Sequence, residues 1–127
     1  MNYLLDTHAF LWYFEDSEKL SEIAASIIED TNARKYVSIA SLWEFSIKYG
    51  MGKLRFDGGI ASLWKMIVQN SYTILPIKQS YLIGVINLPF IHRDPFDRLL
   101  VATAQADGLA ILTADENIHK YNVPSVW

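Results

Sequence analysis

The feature that most constrains this chain is how its short apolar runs stop at an acid and give way to helical pattern. "NYLL" (2–5) ends abruptly at Asp6, and "THAFLWYF" (7–14) follows, too apolar for a surface element. The first run, with its β-favouring tyrosine, reads as a strand and the second as a helix. The change recurs further on. "KYVSI" (35–39) runs into "ASLWEFSIKYG" (40–50), where Leu42, Phe45, Ile47 and Tyr49 suit a helix ended by Gly50. "LAILT" (109–113) is a strand that Asp115 follows almost at once, and "YTILPI" (72–77) and "VPSVW" (123–127) are further strand candidates. Helices are expected at 21–30, with Ser21 as cap and Ile23, Ala24, Ile27 and Ile28 on one face, and at 60–69 and 80–88. "FDRLLVATAQADG" continues the pattern, with Leu100 and Ala104 apolar and Gly108 terminal. Strands alternating with helices imply an α/β fold around a mostly parallel sheet. In such sheets ligands sit beyond the carboxyl ends of the strands, and Asp6 and Asp115 both point to that edge.

With 127 residues, half of them apolar, no internal repeat and no linker, the chain reads as one domain over 1–127. The absence of cysteine excludes disulfides and thiolate metal sites. No apolar run approaches the ~20 residues of a membrane span. No basic stretch followed by an apolar run marks a signal peptide. The expectation is a soluble, cytoplasmic protein without membrane contact. A net charge of −3 argues mildly against nucleic acid as a partner. That argument fails if several acids surround metal ions.

Each acid has an ordinary reading. Asp6 and Asp115 can be helix N-caps or turn residues. Glu44 lies among Leu42, Trp43, Phe45 and Ile47, where an unpartnered charge is costly. Ser41, Glu44 and Lys48 can form a thin polar stripe, with Glu44 and Lys48 paired at i, i+4. In "HRDPFDRLL" (92–100), Pro95 at the first helical position makes Asp94 the natural N-cap. Asp97 then stands where a capping box would place glutamate or glutamine, and aspartate reaches back less well. Structure explains Asp94 adequately and Asp97 only in part.

The conjunction carries more than any single acid. Carboxylates at 6, 44, 97 and 115 would repel one another severely at one sheet edge unless hard cations shared the site. Oxygen-only ligation suits Mg²⁺ or Mn²⁺. Such ions activate water and clamp phosphate for in-line displacement, which points to phosphodiester hydrolysis. Removing those four charges turns −3 into +1 for the remainder. Lys48, Lys53 and Arg55 then form a strip suited to a phosphate backbone, and Arg93 and Arg98 flank the aspartate pair. A solvated loop is the commoner meaning of such a run, and Arg98 can equally balance the carboxylates. His8 reads as a packed or partly exposed helix residue, and His92 and His119 as loop residues. Trp12, Tyr13 and Trp43 suit core packing or a dimer face better than base stacking.

The motifs "LLDTHAFLW", "SLWEFSIKYGMGKL", "HRDPFDRLLVATA" and "ILTAD", in this order over nearly the full length, resemble PIN-domain ribonucleases. Within that family the resemblance is to the toxins of VapBC-type toxin–antitoxin pairs. It implies a three-layer α/β/α domain with a mainly parallel central sheet and a metal-dependent endoribonuclease leaving 5′-phosphate and 3′-hydroxyl ends. It implies Mg²⁺ or Mn²⁺ as cofactor, an RNA substrate, a cognate antitoxin and a homodimer. The family's four core acids fall on Asp6, Glu44, Asp97 and Asp115. Asp6, Asp97 and Asp115 are the implied metal contacts, and Glu44 completes the site through a metal or by orienting water. Asp94 and Thr113 take supporting places. The alternatives are a receiver-like Mg²⁺-binding module and a non-catalytic α/β module that keeps its acids only as caps. The first wants a close acid pair after the first strand and a late lysine, and Asp6 stands alone here.

Overall fold

In the computed structural model, which describes residues 1–127, strands and helices alternate from the start. The order is β1 (Asn2–Leu5), α1 (Thr7–Phe14), α2 (Glu22–Glu29), β2 (Arg34–Ser38), α3 (Ile39–Gly50), α4 (Gly59–Gln69), β3 (Thr73–Leu75), α5 (Gln79–Asn87), α6 (Pro95–Asp107), β4 (Ala110–Leu112), α7 (Glu116–His119) and β5 (Ser125–Val126). The strands form one wholly parallel sheet in the order β3-β2-β1-β4-β5. Leu5 pairs with Val37 on one side and Leu112 on the other, and Leu4 with Tyr36 and Ile111.

Because side chains alternate along a strand, this register sorts the core into two layers. Leu5, Val37 and Leu112 face Phe10, Ala24, Ile28, Leu42, Phe45, Leu63 and Ile67 from α1 to α4. Leu4 and Ile111 face Leu100, Val101 and Ala104 of α6 and Ile118 of α7. The result is the expected α/β/α sandwich. At each central position one leucine or isoleucine is fully buried on either face. Truncation of such a residue to alanine costs about 2–5 kcal/mol.

The chain moves outward from β1 to β2 and β3, then returns to place β4 on the other side of β1. The switch point therefore lies between β1 and β4, and the crevice beyond their carboxyl ends is the ligand position of such sheets. Two glycines shape how α6 packs and ends. Gly84 lets α5 lie close on α6, since a Cβ there would stand 3.1 Å from that of Ala102. Gly108 ends α6 at φ 67°, a left-handed conformation that favours glycine.

Every expected strand and helix is present, with several differences in detail. Gly50 is the last residue of α3 and not its terminator; Met51 caps the helix and the left-handed turn falls on Gly52. Ile23, Ile47 and Tyr49 lie on outward faces while their neighbours Ala24, Ile28, Leu42 and Phe45 are buried. "TADEN" does more than turn: Asp115 caps the short helix α7, so His119 is helical and not in a loop. No helix is long and apolar enough to cross a membrane.

Candidate active site

Asp6 ends β1 and caps α1. Its backbone N–H continues the ladder to Leu112 O, and its Oδ1 accepts from Ala9 N–H at 2.8 Å. Its Oδ2 accepts from the Thr113 hydroxyl, whose oxygen in turn accepts from Asp115 N–H at 3.0 Å. A single threonine thus ties the acids that follow β1 and β4. Burial raises the Asp6 carboxyl above its usual range and the Asp115 charge pushes the same way; the Thr113 and Ala9 hydrogen bonds and His8 oppose them.

Asp115 caps α7 as Asp6 caps α1, its Oδ1 accepting from Asn117 N–H at 2.7 Å and Ile118 N–H at 3.3 Å. Glu44 projects from α3 and is buried. Thr7 donates to its Oε1 at 2.6 Å, and Lys48 Nζ lies 3.1 Å from its Oε2. The expected i, i+4 pair is therefore real, and it leaves Lys48 engaged with a carboxylate. Ser41, one turn earlier, is buried with no partner for its hydroxyl, which the fold does not explain.

At the start of α6, Asp94 Oδ1 accepts from both Phe96 N–H at 2.9 Å and Asp97 N–H at 3.1 Å. Asp97 does not reach back to complete a capping box. Its Oδ2 lies 3.2 Å from His92 Nε2. Burial raises the Asp97 carboxyl to about 7 against the His92 hydrogen bond, and the charges of Asp94, Asp115 and Glu44 add to the rise. Asp97 thus senses Glu44 and Asp115, and Asp115 is sensed by Asp6. The four carboxylates from four parts of the chain share one field at the switch point.

Their chemistry fits a hard divalent cation, because every donor is oxygen and an added positive charge relieves the crowding. Asp97 Oδ1 and Asp115 Oδ2 accept no protein hydrogen bond. No three of the side chains already converge on one point as a cage. Ligation would therefore need side-chain rotation, and those two oxygens have no protein partner to give up.

The basic candidates are not all gathered with the acids: Arg55 lines a cavity with Phe14 and Glu15, at the opposite end of α1 from Asp6. Lys53, Arg55 and Arg93 are exposed. Arg98 is only 5% exposed and pairs with no carboxylate, so it neither offers a phosphate contact nor balances the acids. It donates to Pro89 O at 2.8 Å and lies against the Phe90 ring. Trp43 is 61% exposed and packs edge-on against Phe96 at the start of α6. His8 stacks on Trp12, which meets Trp127 edge-on.

The model of the PIN domain family matches residues 3–124, nearly the whole chain. The chain belongs to the PIN domain family. Its PIN fold is similar to that of VapBC2 from Rickettsia felis, solved bound to a promoter DNA fragment. The TM-score is 0.76 at 16% identity, over 100% of this chain and 99% of that one. A toxin–antitoxin complex from Klebsiella pneumoniae aligns with a TM-score of 0.66 at 17% identity, over 98% and 96% of the two chains. In sequence, Ribonuclease VapC22 of Mycobacterium tuberculosis is 26% identical over 98% of this chain and 97% of its own. Three residues of this PIN domain's acidic edge escape a reading of the sequence: Thr7, His92 and Tyr121. The spacing of "HRDPFD" hints at His92, but nothing local marks Tyr121, which is 29 residues away from it.

Proposed function

We propose that this PIN domain is a Mg²⁺- or Mn²⁺-dependent endoribonuclease and the toxin of a toxin–antitoxin pair. The observation that carries the reading is the gathering of Asp6, Glu44, Asp97 and Asp115 at the switch point. Thr113 ties Asp6 to Asp115, Thr7 of the helix that Asp6 caps holds Glu44, and burial, with the charges of Asp94, Asp115 and Glu44 added, raises Asp97 to about 7. A curated relative named as a ribonuclease and a neighbour solved as a toxin–antitoxin complex support it.

Asp6, Asp97 and Asp115 would hold the cation, and Glu44 would complete the site through the metal or by orienting water. When bound, the cation lowers the pKa of water and stabilises charge on the phosphate oxygens. Asp6 is fixed for this by Ala9 and Thr113, and Glu44 by Thr7 and Lys48. Water attacks phosphorus in line, and the 3′ oxygen leaves and takes a proton, giving 5′-phosphate and 3′-hydroxyl ends. Lys53, Arg55 and Arg93 would meet the RNA backbone, with Lys48 contributing only beyond its pairing to Glu44. A cognate antitoxin, a homodimer, a cytoplasmic location and a single functional domain over 1–127 complete the proposal.

The test incubates purified, antitoxin-free protein with a mixed RNA pool and Mg²⁺ or Mn²⁺, beside an EDTA control and the Asp6→Asn and Asp97→Asn variants. Cleavage by the wild type alone, abolished by EDTA, is expected. Variants that cut as well as the wild type would overturn the site, and cutting in EDTA would overturn the metal.

A further inference from the structure

We infer that His92 is a positioning residue for Asp97: a relay from buried Arg98 through Tyr121 fixes its tautomer, so that its Nε2–H holds one Asp97 oxygen and leaves the other free. The inference rests on the metal-dependent reading of the site.

Arg98 is the anchor. Its guanidinium is buried without an ion-pair partner and donates to Pro89 O at 2.8 Å, with longer contacts of 3.4 Å to Val85 O and Leu88 O at the end of α5. The same Nη1 lies 3.2 Å from the Tyr121 hydroxyl oxygen. A guanidinium only donates, so the Tyr121 oxygen accepts there and its own proton is left for another acceptor. That acceptor is His92 Nδ1, at 2.8 Å. A ring that accepts at Nδ1 carries its proton on Nε2, and Nε2 faces Asp97 Oδ2 at 3.2 Å.

The opposite tautomer would strand the Tyr121 proton against a ring N–H, and it would also turn the Nε2 lone pair toward Asp97 when that carboxyl is ionised. A doubly protonated ring strands the same proton. Packing keeps the relay in place: Tyr121 is 4% exposed, and the His92 and Tyr121 rings meet at 60° with centroids 5.5 Å apart. The loop before α6, α6 itself and the segment after α7 are joined at one carboxylate. Groups that orient a ligating side chain in this way carry much of a site's metal affinity.

The test reads tautomer and metal separately from activity. The ring ¹⁵N spectrum of metal-free protein should show His92 in the Nε2–H form, and Tyr121→Phe should let both tautomers appear. Calorimetric titration with Mn²⁺ should show affinity about tenfold weaker in His92→Ala, with unchanged circular dichroism. His92→Gln, whose Nε2–H reaches similarly far, should recover most of the loss, which a merely space-filling role would not predict. An Nδ1–H ring in the wild type, or wild-type Mn²⁺ affinity in His92→Ala, would overturn the inference and leave the metal site standing. A wild-type protein that binds no Mn²⁺ would overturn the metal reading itself, and the role given to His92 with it.

Discussion

The two halves of the acidic edge are built differently. At Asp6 and Glu44 every carboxylate oxygen has a protein partner: Ala9 and Thr113 for the first, Thr7 and Lys48 for the second. At Asp97 and Asp115 each carboxylate is held by one oxygen only, through His92 or the first turn of α7, and the other is left free. One half is fixed before anything binds, and the other is fixed at one oxygen and presents the second. In the proposed reaction the first half would supply charge in a set place, and the second the groups able to move onto a ligand.

The largest break in that contrast should come from Asp97→Asn. RNA cleavage should fall at least about a hundredfold, the loss of roughly 3 kcal/mol or more of transition-state stabilisation. The metal-free protein should become more stable near neutral pH at the same time. Burial and neighbouring acids raise the folded-state value to about 7 from the ordinary 3.8. Between those values the folded state binds more protons than the unfolded chain, so wild-type stability falls as pH rises through that window. Asparagine removes the titration. Melting in EDTA should put the variant above the wild type by on the order of 5 °C near pH 8, with little difference near pH 4. An equal offset at both pH values would show that Asp97 is not crowded.

Adding Mn²⁺ at neutral pH should restore what crowding removes. At a hundredfold excess over its dissociation constant, a ligand bound only by the folded state stabilises by about 2.7 kcal/mol. The wild-type melting temperature should rise accordingly and that of Asp97→Asn much less. The same rise in both proteins would place the cation elsewhere.

On the fully paired side the effect should be smaller. Thr7→Val keeps the shape of the side chain and removes the donor to Glu44 Oε1. With one oxygen freed and Lys48 still holding the other, cleavage should drop several-fold and stability by about 1 kcal/mol. Single-turnover kinetics and urea denaturation separate the two. A loss as large as that of Asp97→Asn would show that Glu44 also depends on fine placement and would erase the contrast.

The sequence makes most of this edge legible because one geometry serves two purposes. An aspartate just after a parallel strand caps the next helix and, by the same placement, lies on the carboxyl edge of the sheet. Asp6 and Asp115 therefore serve as the caps of the ordinary reading while standing where the proposed site would need them. Asp97 differs: its capping-box reach is not made, and its contact is His92. The relay behind it is invisible in the sequence. An arginine in "PFDRLL" gives no sign of burial, and the pairing of Tyr121 with His92 depends on how α6 and α7 pack against the same face of the sheet. Periodicity likewise fails at Ile47 and Tyr49, where the apolar stripe of α3 is wider than the core it meets.

The smallest effect belongs to Asp94. Its Oδ1 accepts two N–H groups at the start of α6, one of them that of Asp97. Asparagine keeps that acceptor and caps about as well, so Asp94→Asn should change stability by no more than about 0.5 kcal/mol and cleavage by about twofold. The lost charge also removes one of the influences that raise Asp97, which favours its ionised form. Asp94→Ala loses the acceptor as well, and should cost about 1 kcal/mol while loosening the turn that carries Asp97. Measuring both substitutions against Asp97→Asn separates support from chemistry within three residues. If Asp94→Asn abolished cleavage and Asp97→Asn spared it, the roles of the two aspartates would be reversed, and the free oxygen of Asp97 would have no part in the reaction.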